Sequence, residues 1–315
     1  MAELSAQDRT ELGKTGISIP VMGTGAWSWG DRMMWGFGQE YGVEDVRQAF
    51  DASLEGGINF FDTAEVYGLG MSERLLGRFA RQTAKPLVVA TKFMPFPWRL
   101  SEASMLRALR HSLQRLQMDQ VDLYQIHFPL PPVSLKARAH ALGRTAKDGL
   151  TRSVGVSNYN VEQMRRTYLA LQEEGIPLAS NQVEYSLLNR QVEKAGLLAL
   201  CQELGITLIA YSPLAKGLLT GKYTPENPPP GVRGLRARGG DLRKIQPLIG
   251  LIQEIGQSQG GKTPAQVALN WCICKGSVPI PGAKNARQAR DNAQSMEWRL
   301  TQEQVAALDE ASDRL

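Results

Sequence analysis

One structural unit recurs along this chain and constrains its fold. A short run of β-branched or aromatic residues ends in polar residues, and a helix-like stretch follows, often closed by glycine. Eight such runs occur, at residues 21–27, 58–64, 87–93, 121–128, 153–159, 179–185, 206–214 and 277–283. Alternation of short strands with helices indicates βαβ units and a parallel sheet. Eight pairs in roughly 250 residues predict an α/β fold, the (β/α)8 TIM barrel, as a single domain over 1–315.

Two elements lie outside the eight units. Residues 8–20 precede the first strand and are predicted to form an N-terminal β-hairpin under the barrel, and residues 301–315 are predicted as an extra C-terminal helix. The clearest helix of the repeat covers 101–118, where apolar side chains recur at helical spacing behind Ser101 as N-cap. The proline and glycine content of 214–242 predicts a mobile loop there.

A doubly wound open sheet is the competing arrangement for alternating strands and helices. It would need a G-x-G-x-x-G spacing between the first strand and a helix, with an acidic residue about twenty positions further on. The first strand is followed by MGTGAWSWG, which lacks that spacing. The barrel is therefore the preferred prediction.

The charge balance and the cysteines restrict the class of function. Lys plus Arg is 36 and Asp plus Glu is 31, for a net charge of +5, and no dense basic run occurs, which argues against nucleic-acid binding. Three cysteines are predicted to be buried in a reducing compartment. With no secretory signal and no run long enough to cross a bilayer, we expect a cytoplasmic protein, or a plastid one if a transit peptide has been removed.

Polar residues cluster where the predicted strands end, which is where barrels carry their chemistry. Taken singly, each has an ordinary structural explanation, such as a helix cap, a core histidine or a lysine reaching the rim. Taken together, a phenol, an ammonium, a carboxylate and an imidazole suit proton transfer to a developing alkoxide. A nearby ammonium lowers the pKa of a phenol, and a buried lysine needs a carboxylate partner. The residues are Asp62, Tyr67, Lys92, His127, Ser157, Asn158, Gln182, Tyr211 and Ser212.

Five ordered motifs resemble those of the aldo-keto reductase superfamily: GGINFFDTAEVYG, VVATKF, LYQIHF, VGVSN and IAYSPLAKGLLTGKY. The resemblance covers essentially the whole chain and is greatest to bacterial and plant members near the pyridoxal reductases and potassium-channel β subunits. It implies NADPH-dependent reduction of an aldehyde or ketone, without a metal. It implies a catalytic tetrad in which Tyr67 is the general acid, Lys92 paired with Asp62 tunes it, and His127 positions the carbonyl.

The resemblance also implies how the coenzyme is held. Ser157, Asn158 and Gln182 match the carboxamide-binding positions, and Tyr211 matches the aromatic residue that stacks on the nicotinamide. The remaining coenzyme positions are Gly25, Ala26, Trp27 and Asp62 at the barrel mouth, Ser212, Pro213, Leu214, Lys216, Gly217 and Lys222 along the pyrophosphate, and Gly282, Lys284, Gln288, Asp291 and Asn292 around the adenosine half.

Two of these positions depart from the usual family residues. The family commonly has Glu where Asp291 stands, and Arg or Ser where Lys284 stands. Lys284 still offers a point charge to a 2′-phosphate, and Arg287 could assist, so NADPH is favoured over NADH. Alternatively, Lys284 and Arg287 lie on a solvent-exposed face and bind no phosphate.

The substrate and the biological role stay open at this level. The predicted substrate pocket comprises Trp27, Tyr67, Trp98, His127 and Phe128, although its aromatic residues could equally pack loops against the barrel. Pyridoxal, small dicarbonyls and aromatic aldehydes are all compatible substrates, and the protein is expected to be a monomer or a weak homo-oligomer.

Two other roles compete with the reductase. One is an NADPH-binding redox-sensing regulatory subunit with little turnover; the inactivation segment that precedes the barrel in channel β subunits is not seen here. The other is a sugar-phosphate barrel enzyme with a phosphate site in the PGAKN turn, which leaves Asp62, Tyr67, Lys92 and His127 unexplained.

Overall fold

The computed structural model describes residues 8–229 and 240–315, in which strands and helices alternate around a parallel sheet. The strands are β1 Arg9–Glu11, β2 Ser18–Pro20, β3 Thr24–Gly25, β4 Phe60–Asp62, β5 Val88–Phe93, β6 Val121–Ile126, β7 Thr151–Ser157, β8 Leu178–Glu184, β9 Thr207–Tyr211 and β10 Val278–Pro279. The α-helices are α1 Val43–Glu55, α2 Met71–Ala80, α3 Glu102–Leu116, α4 Leu135–Lys147, α5 Val161–Gln172, α6 Gln191–Lys194, α7 Leu197–Leu204, α8 Gly240–Ser258, α9 Pro264–Cys274, α10 Ala286–Ala293 and α11 Gln302–Asp313. Short 3₁₀ turns occupy Tyr67–Gly70, Ala215–Thr220 and Gln294–Met296.

The central sheet closes into a barrel. Strands β3 to β10 are hydrogen-bonded in chain order, and every pair is parallel. The two end strands also meet, because Gly23 N donates to Pro279 O at 2.9 Å and Gly25 N donates to Pro281 O at 3.0 Å. Each of the eight predicted runs overlaps one of these strands, so the predicted (β/α)8 barrel is confirmed.

The barrel interior is apolar at its N-terminal end, and the β1–β2 hairpin covers that end. Leu12, Ile17 and Ile19 of the hairpin region pack in one cluster with the inward side chains of the strands. The hairpin is also tied to the barrel by Gly13 N, which donates to Thr207 Oγ1 at 2.8 Å. The predicted hairpin is therefore confirmed, and it leaves the opposite end of the barrel as the open mouth.

Toward the mouth, the same inward rows of side chains become polar. Because side chains alternate along a strand, Asp62 follows Phe60 on the inner face, and Lys92 follows Ala90. Both polar residues are buried, at 2% and 0% exposed. The polar layer next to the mouth is completed by Gln125, Ser157, Ser180 and Gln182, all buried.

The predicted helices agree with the structure, and the predicted loop does so only in part. The Ser101 side chain caps α3, and the Thr301 side chain caps α11. Within 214–242, however, Ala215–Thr220 forms a 3₁₀ turn that buries Leu219, and α8 begins at Gly240. Residues 230–239 of that predicted loop lie outside the described residues. In the described part of the chain, no helix is long and apolar enough to cross a membrane.

Helices α2 and α3 approach each other closely at Gly77, which gives a first prediction. A Cβ atom at this position would lie 2.2 Å from the carbonyl oxygen of Leu116. We expect Gly77→Ala to lower the free energy of unfolding by about 1–3 kcal/mol, because the two backbones must move apart. Urea unfolding would measure it. Gly250→Ala in α8 is the control, since a Cβ there meets no described atom within 4 Å and alanine favours the helix. A neutral or stabilising Gly77→Ala would contradict the close contact.

Candidate active site

A buried ion pair lies at the base of the mouth. Lys92 Nζ donates to Asp62 Oδ1 at 2.5 Å and to the carbonyl oxygen of Thr63 at 2.8 Å. The other oxygen of Asp62 accepts from Gln182 Nε2 at 2.8 Å and Gln125 Nε2 at 3.3 Å. Burying charges is tolerated when they are paired and hydrogen-bonded in this way. The hydrogen bonds therefore hold the Lys92–Asp62 ion pair in a fixed position beneath the mouth, where it can interact with a reacting group.

Tyr67 lies directly above this pair. The loop after β4 leads into the turn Tyr67–Gly70, and Lys92 Nζ lies 3.4 Å from Tyr67 Oη. The ammonium is also 5.0 Å from the centroid of the phenol ring. The structure thus brings together Asp62, Tyr67 and Lys92, which are separated by up to thirty positions in the sequence.

The pKa of Tyr67 is raised above its ordinary value, although the sequence suggested a lowering. Burial of the phenol raises this pKa, Lys92 acts in the opposite direction, and Asp62 adds a smaller increase. Burial alone would lower the pKa of Lys92, but Asp62 and Tyr67 outweigh burial and raise it. At neutral pH, the phenol is therefore protonated and the ammonium charged, which is the state a proton donor needs.

His127 completes the group from the end of β6. Its ring centroid is 5.8 Å from that of Tyr67, and it stacks on Phe128 at 4.9 Å. Its Nδ1 atom is buried and has no hydrogen-bond partner among the described residues. Burial, assisted by the charge of Lys92, lowers the pKa of His127 to about 3. The imidazole is therefore neutral at physiological pH and has unused hydrogen-bonding capacity.

The lowered pKa of His127 predicts a pH dependence of stability. The unfolded imidazole takes up a proton below pH ~6.5, whereas the folded one resists protonation until about pH 3. The stability that comes from the neutral folded ring is complete above pH ~6.5 and is lost as the pH falls, by about 1.4 kcal/mol per unit. Between pH 6.5 and 5, wild type should lose about 2 kcal/mol more than His127→Gln in urea unfolding. Parallel losses in the two proteins would contradict the assignment.

Aromatic side chains surround the mouth. Trp27 stacks on Tyr67 with ring centroids 6.1 Å apart, and its edge meets Trp35 at 5.6 Å. Phe128 lies against His127, as described above. Trp98 instead is 74% exposed and stacks on Phe96 at 4.8 Å. Of the predicted pocket aromatics, Trp27 and Phe128 therefore adjoin the central groups, and Trp98 stands on the solvent side of the rim.

Three of the predicted carboxamide and ring positions form one hydrogen-bonded set. Asn158 has a left-handed backbone conformation, with φ of 62°, and its Nδ2 donates to His127 O and to Ser157 Oγ, both at 3.0 Å. Tyr211 Oη donates to Asn158 Oδ1 at 3.0 Å. Gln182 joins this set only through its backbone carbonyl oxygen, which accepts from Ser157 Oγ at 2.8 Å and from Asn158 N at 2.9 Å, because its side-chain amide is directed to Asp62. Gln182 therefore supports the ion pair in this structure.

The segment after β9 is a run of tight turns. Ser212, Ala215, Lys216 and Gly217 all have positive φ, between 47° and 98°. These turns are closed by hydrogen bonds within the segment, because Ala215 N donates to Ser212 O at 2.8 Å and Gly217 N donates to Leu214 O at 2.9 Å. Other predicted residues of this segment are Pro213, which is buried, Leu214, which packs against the core, and Lys222, whose Nζ lies 4.7 Å from the Tyr223 ring.

The predicted adenosine residues lie in the segment before α10 and along α10 itself, next to the seam where the barrel closes. Lys284 N donates to Gln288 Oε1 at 2.9 Å, and Asn292 Nδ2 donates to Gly282 O at 3.4 Å. Gly282 in turn bridges Gly25, and the neighbouring Ala26 N donates to Asp62 O at 2.8 Å. Most of this set therefore lies along one edge of the mouth.

Two charged members of that set are engaged elsewhere. Lys284 Nζ donates to Trp35 O at 2.7 Å and lies 3.3 Å from Glu40. Asp291 accepts from Thr263 Oγ1 at 3.1 Å and from Gln266 Nε2 at 3.0 Å, in the first turn of α9. Burial raises the pKa of Asp291, against smaller effects of Thr263 and Arg287.

Some residues of the site were not identified from the sequence. Gln125 is the second amide on Asp62, and the alternation Leu123, Gln125, His127 was the signal that could have placed it on the inner face. Glu65, just before Tyr67, accepts from Met94 N at 2.6 Å and from Arg99 Nη1 at 2.5 Å. Its partners are about thirty positions away in the sequence, so no local pattern could have shown this anchor.

The structure combines a closed parallel barrel with a lysine–carboxylate pair beneath a tyrosine at its mouth. The chain belongs to the aldo/keto reductase family, whose model matches residues 21–313.

Named relatives and solved structures agree with this membership. The chain is 42% identical over 309 residues to the chloroplastic pyridoxal reductase of Arabidopsis thaliana, covering 94% of this chain and 84% of that protein. The structure of the glycerol dehydrogenase from Gluconobacter oxydans matches with a TM-score of 0.86 and 27% identity, over 98% of this chain and 96% of that one. An aldo/keto reductase from Klebsiella pneumoniae, solved with NADP and acetate, matches with a TM-score of 0.75 and 29% identity, over 96% and 94%.

Proposed function

We propose that this protein is an NADPH-dependent reductase of aldehydes or ketones, an alcohol dehydrogenase of class EC 1.1.1. The observation that carries the proposal is the 3.4 Å approach of Tyr67 Oη to Lys92 Nζ, with Lys92 bound to Asp62. Family membership and the NADP found in the Klebsiella structure support the same conclusion.

The residues at the mouth suit a nicotinamide coenzyme. Asn158 and Ser157 present amide and hydroxyl groups near Tyr211, whose ring offers a stacking surface. The turns of 212–217 would lie along the pyrophosphate. Lys284 would meet a 2′-phosphate. When bound, NADPH supplies the hydride that the carbonyl carbon receives.

The protein's own groups handle the carbonyl oxygen. The neutral imidazole of His127 donates a hydrogen bond that orients this oxygen toward Tyr67. Tyr67 then donates its phenolic proton, so that the alkoxide leaves as an alcohol. The ammonium of Lys92 stabilises the resulting phenolate, and it does so most effectively because the site is dry and the charges are already in place. Trp27 and Phe128 form apolar walls beside the reacting atoms.

Initial rates of NADPH oxidation with a panel of carbonyl compounds test this proposal. The panel would contain pyridoxal, glyceraldehyde, small dicarbonyls and aromatic aldehydes, because relatives are named for pyridoxal and for glycerol. We expect saturable turnover of at least one of them, with NADPH preferred to NADH. Tight NADPH binding without turnover of any carbonyl would instead favour the regulatory-subunit alternative.

Lys284 tests the coenzyme preference. We expect Lys284→Met to weaken NADPH binding about tenfold or more, because one charge-assisted contact to the 2′-phosphate is lost. NADH, which lacks this phosphate, is the matched control ligand and should bind nearly as before. Protein-fluorescence titration with both coenzymes measures the two affinities. Equal weakening for both would show that Lys284 acts by holding the loop at Trp35 and Glu40 instead.

A further inference from the structure

A cationic groove lies on the outside of the barrel, between α2 and α3. It encloses about 600 Å³, and its walls are Arg74 and Arg78 from α2 and His111, Gln114, Arg115 and Gln117 from α3 and its C-terminal cap. None of these residues belongs to the coenzyme or carbonyl site proposed above. A cavity of this volume is in the size range of small-molecule sites.

The two helices that form the groove carry a large share of the positive charge of the chain. Residues 71–81 and 102–117 contain six arginines and two carboxylates, a local excess of four charges in a protein whose net charge is +5. The sequence shows no basic run, because these cations are spaced along two helices. Packing of α2 against α3 brings three of them, Arg74, Arg78 and Arg115, to the groove.

The carboxylate beneath the groove neutralises one of its three arginines, Arg115, and leaves the other two unpaired among the described residues. Glu73 is fully buried beneath it, and its two oxygens accept from Thr91 Oγ1 at 2.6 Å and from Arg115 Nε at 2.5 Å. Arg74 and Arg78 form no ion pair with any carboxylate in the described part of the chain; the guanidinium of Arg74 makes only a 3.4 Å contact with the Leu69 carbonyl oxygen. Two exposed guanidinium groups on the groove wall therefore lack an anionic partner.

We infer that this groove is a binding site for a small molecule that carries at least two phosphate or carboxylate groups. Planar guanidinium groups bind such anions through paired hydrogen bonds, and the amides of Gln114 and Gln117 add neutral donors. The walls are concave and face each other across two helices, which suits a compact ligand rather than an extended partner. Arg115, already neutralised by Glu73, acts as the floor of the site.

The groove also contacts the turn that carries Tyr67. Leu69 O accepts from Arg74, and a Cβ on Gly70 would lie only 2.7 Å from Arg115 Cδ. Gly70 has a φ of 84°, so the turn follows the arginine surface closely in a conformation that suits glycine. An anion that draws Arg74 into the groove removes its contact with the turn. This consequence for catalysis rests on the proposed function of Tyr67, whereas the binding site itself does not.

Calorimetric titration with inorganic tripolyphosphate tests the site. The protein is first saturated with NADPH so that the coenzyme's phosphate contacts are filled, and the titration is repeated without coenzyme. The groove variant is Arg74→Gln/Arg78→Gln. The control is Arg107→Gln/Arg110→Gln, which removes the same charge from exposed positions of α3 that do not line the groove. Citrate, titrated in parallel, distinguishes a phosphate-bearing ligand from a carboxylate-bearing one.

We expect one tripolyphosphate per chain in wild type, an affinity at least tenfold lower in the groove variant, and a change below threefold in the control. If neither anion gives a binding heat, the site does not exist. If the two double variants lose affinity equally, binding reflects only general electrostatic attraction, and the proposal is wrong. If the groove variant unfolds, the single variants Arg78→Gln and His111→Gln take its place. The readout is binding heat, so it stands whether or not any carbonyl is reduced.

Discussion

Tyr67→Phe should lower kcat for carbonyl reduction by about 10²–10⁴-fold and leave the affinity for NADPH nearly unchanged. The substitution removes one oxygen atom, the one 3.4 Å from Lys92 Nζ, and keeps the ring that stacks on Trp27. A bound carbonyl compound would still be oriented by His127, but no group would deliver the proton. Steady-state NADPH oxidation and a separate fluorescence titration of the coenzyme measure the two quantities.

Tyr159→Phe is the matched control for this experiment. Tyr159 is buried, whereas Tyr67 is partly exposed, and the Tyr159 hydroxyl group has no hydrogen-bond partner among the described residues. Removing that hydroxyl should leave kcat within a factor of about two and should not lower stability, because no hydrogen bond is lost. Retention of activity within threefold in Tyr67→Phe would refute Tyr67 as the proton donor.

Lys92→Met should reduce both stability and activity. Asp62 is 2% exposed, and without Lys92 its charge would stay in the barrel with only Gln182 and Gln125 as donors. Removing one partner of a buried ion pair typically costs about 3–5 kcal/mol. The phenolate formed at Tyr67 would also lose its neighbouring positive charge, so kcat should fall by at least about 10²-fold.

A double variant separates charge from packing in this prediction. Lys92→Met/Asp62→Asn removes both charges and keeps an acceptor for the amide of Gln182, so it should recover much of the lost stability but none of the activity. Urea unfolding at pH 7 measures all three proteins. If the double variant loses as much stability as Lys92→Met, or more, the unpaired charge of Asp62 is not the cause of the loss.

The pH range of the stabilisation by Lys92 follows from its pKa. The folded pKa of Lys92 is raised above the ordinary lysine value, since Asp62 and Tyr67 outweigh the effect of burial. The stabilisation is therefore complete below pH ~10.4 and is lost only as the pH rises through the folded value. The comparison of variants at pH 7 thus measures the full contribution of the ion pair.

The order of strands and helices in this protein could be predicted from local sequence patterns. Six of the eight barrel strands lie within the predicted apolar runs, and β7 and β8 begin one or two residues before theirs. The hairpin occupies 9–20, and α3 begins after Ser101 as its cap requires. These features depend on side-chain periodicity and on hydrogen bonds between residues close in sequence, so a short window of sequence contains the needed information. The strand-end positions of Asp62, Lys92 and His127 follow from the same periodicity.

The electrostatics of the site could not be read in this way. The pattern suggested that Lys92 lowers the pKa of Tyr67, yet burial raises it further than Lys92 lowers it. Desolvation depends on every atom that surrounds the phenol. These atoms include the ring of Trp27, which lies far from Tyr67 in the sequence. The direction of Gln182 toward Asp62, and the anchor between Glu65 and Arg99, depend likewise on distant strands and loops.

The sequence by itself determined the barrel, its closing hairpin and which residue types stand at the mouth, because each depends on the order and spacing of neighbouring residues. Only the tertiary structure decided the protonation state of Tyr67, the exposure of Trp98 and the gathering of Arg74, Arg78 and Arg115 into one groove. These properties arise from distances between residues far apart in the chain, and both burial and charge interactions change steeply with such distances.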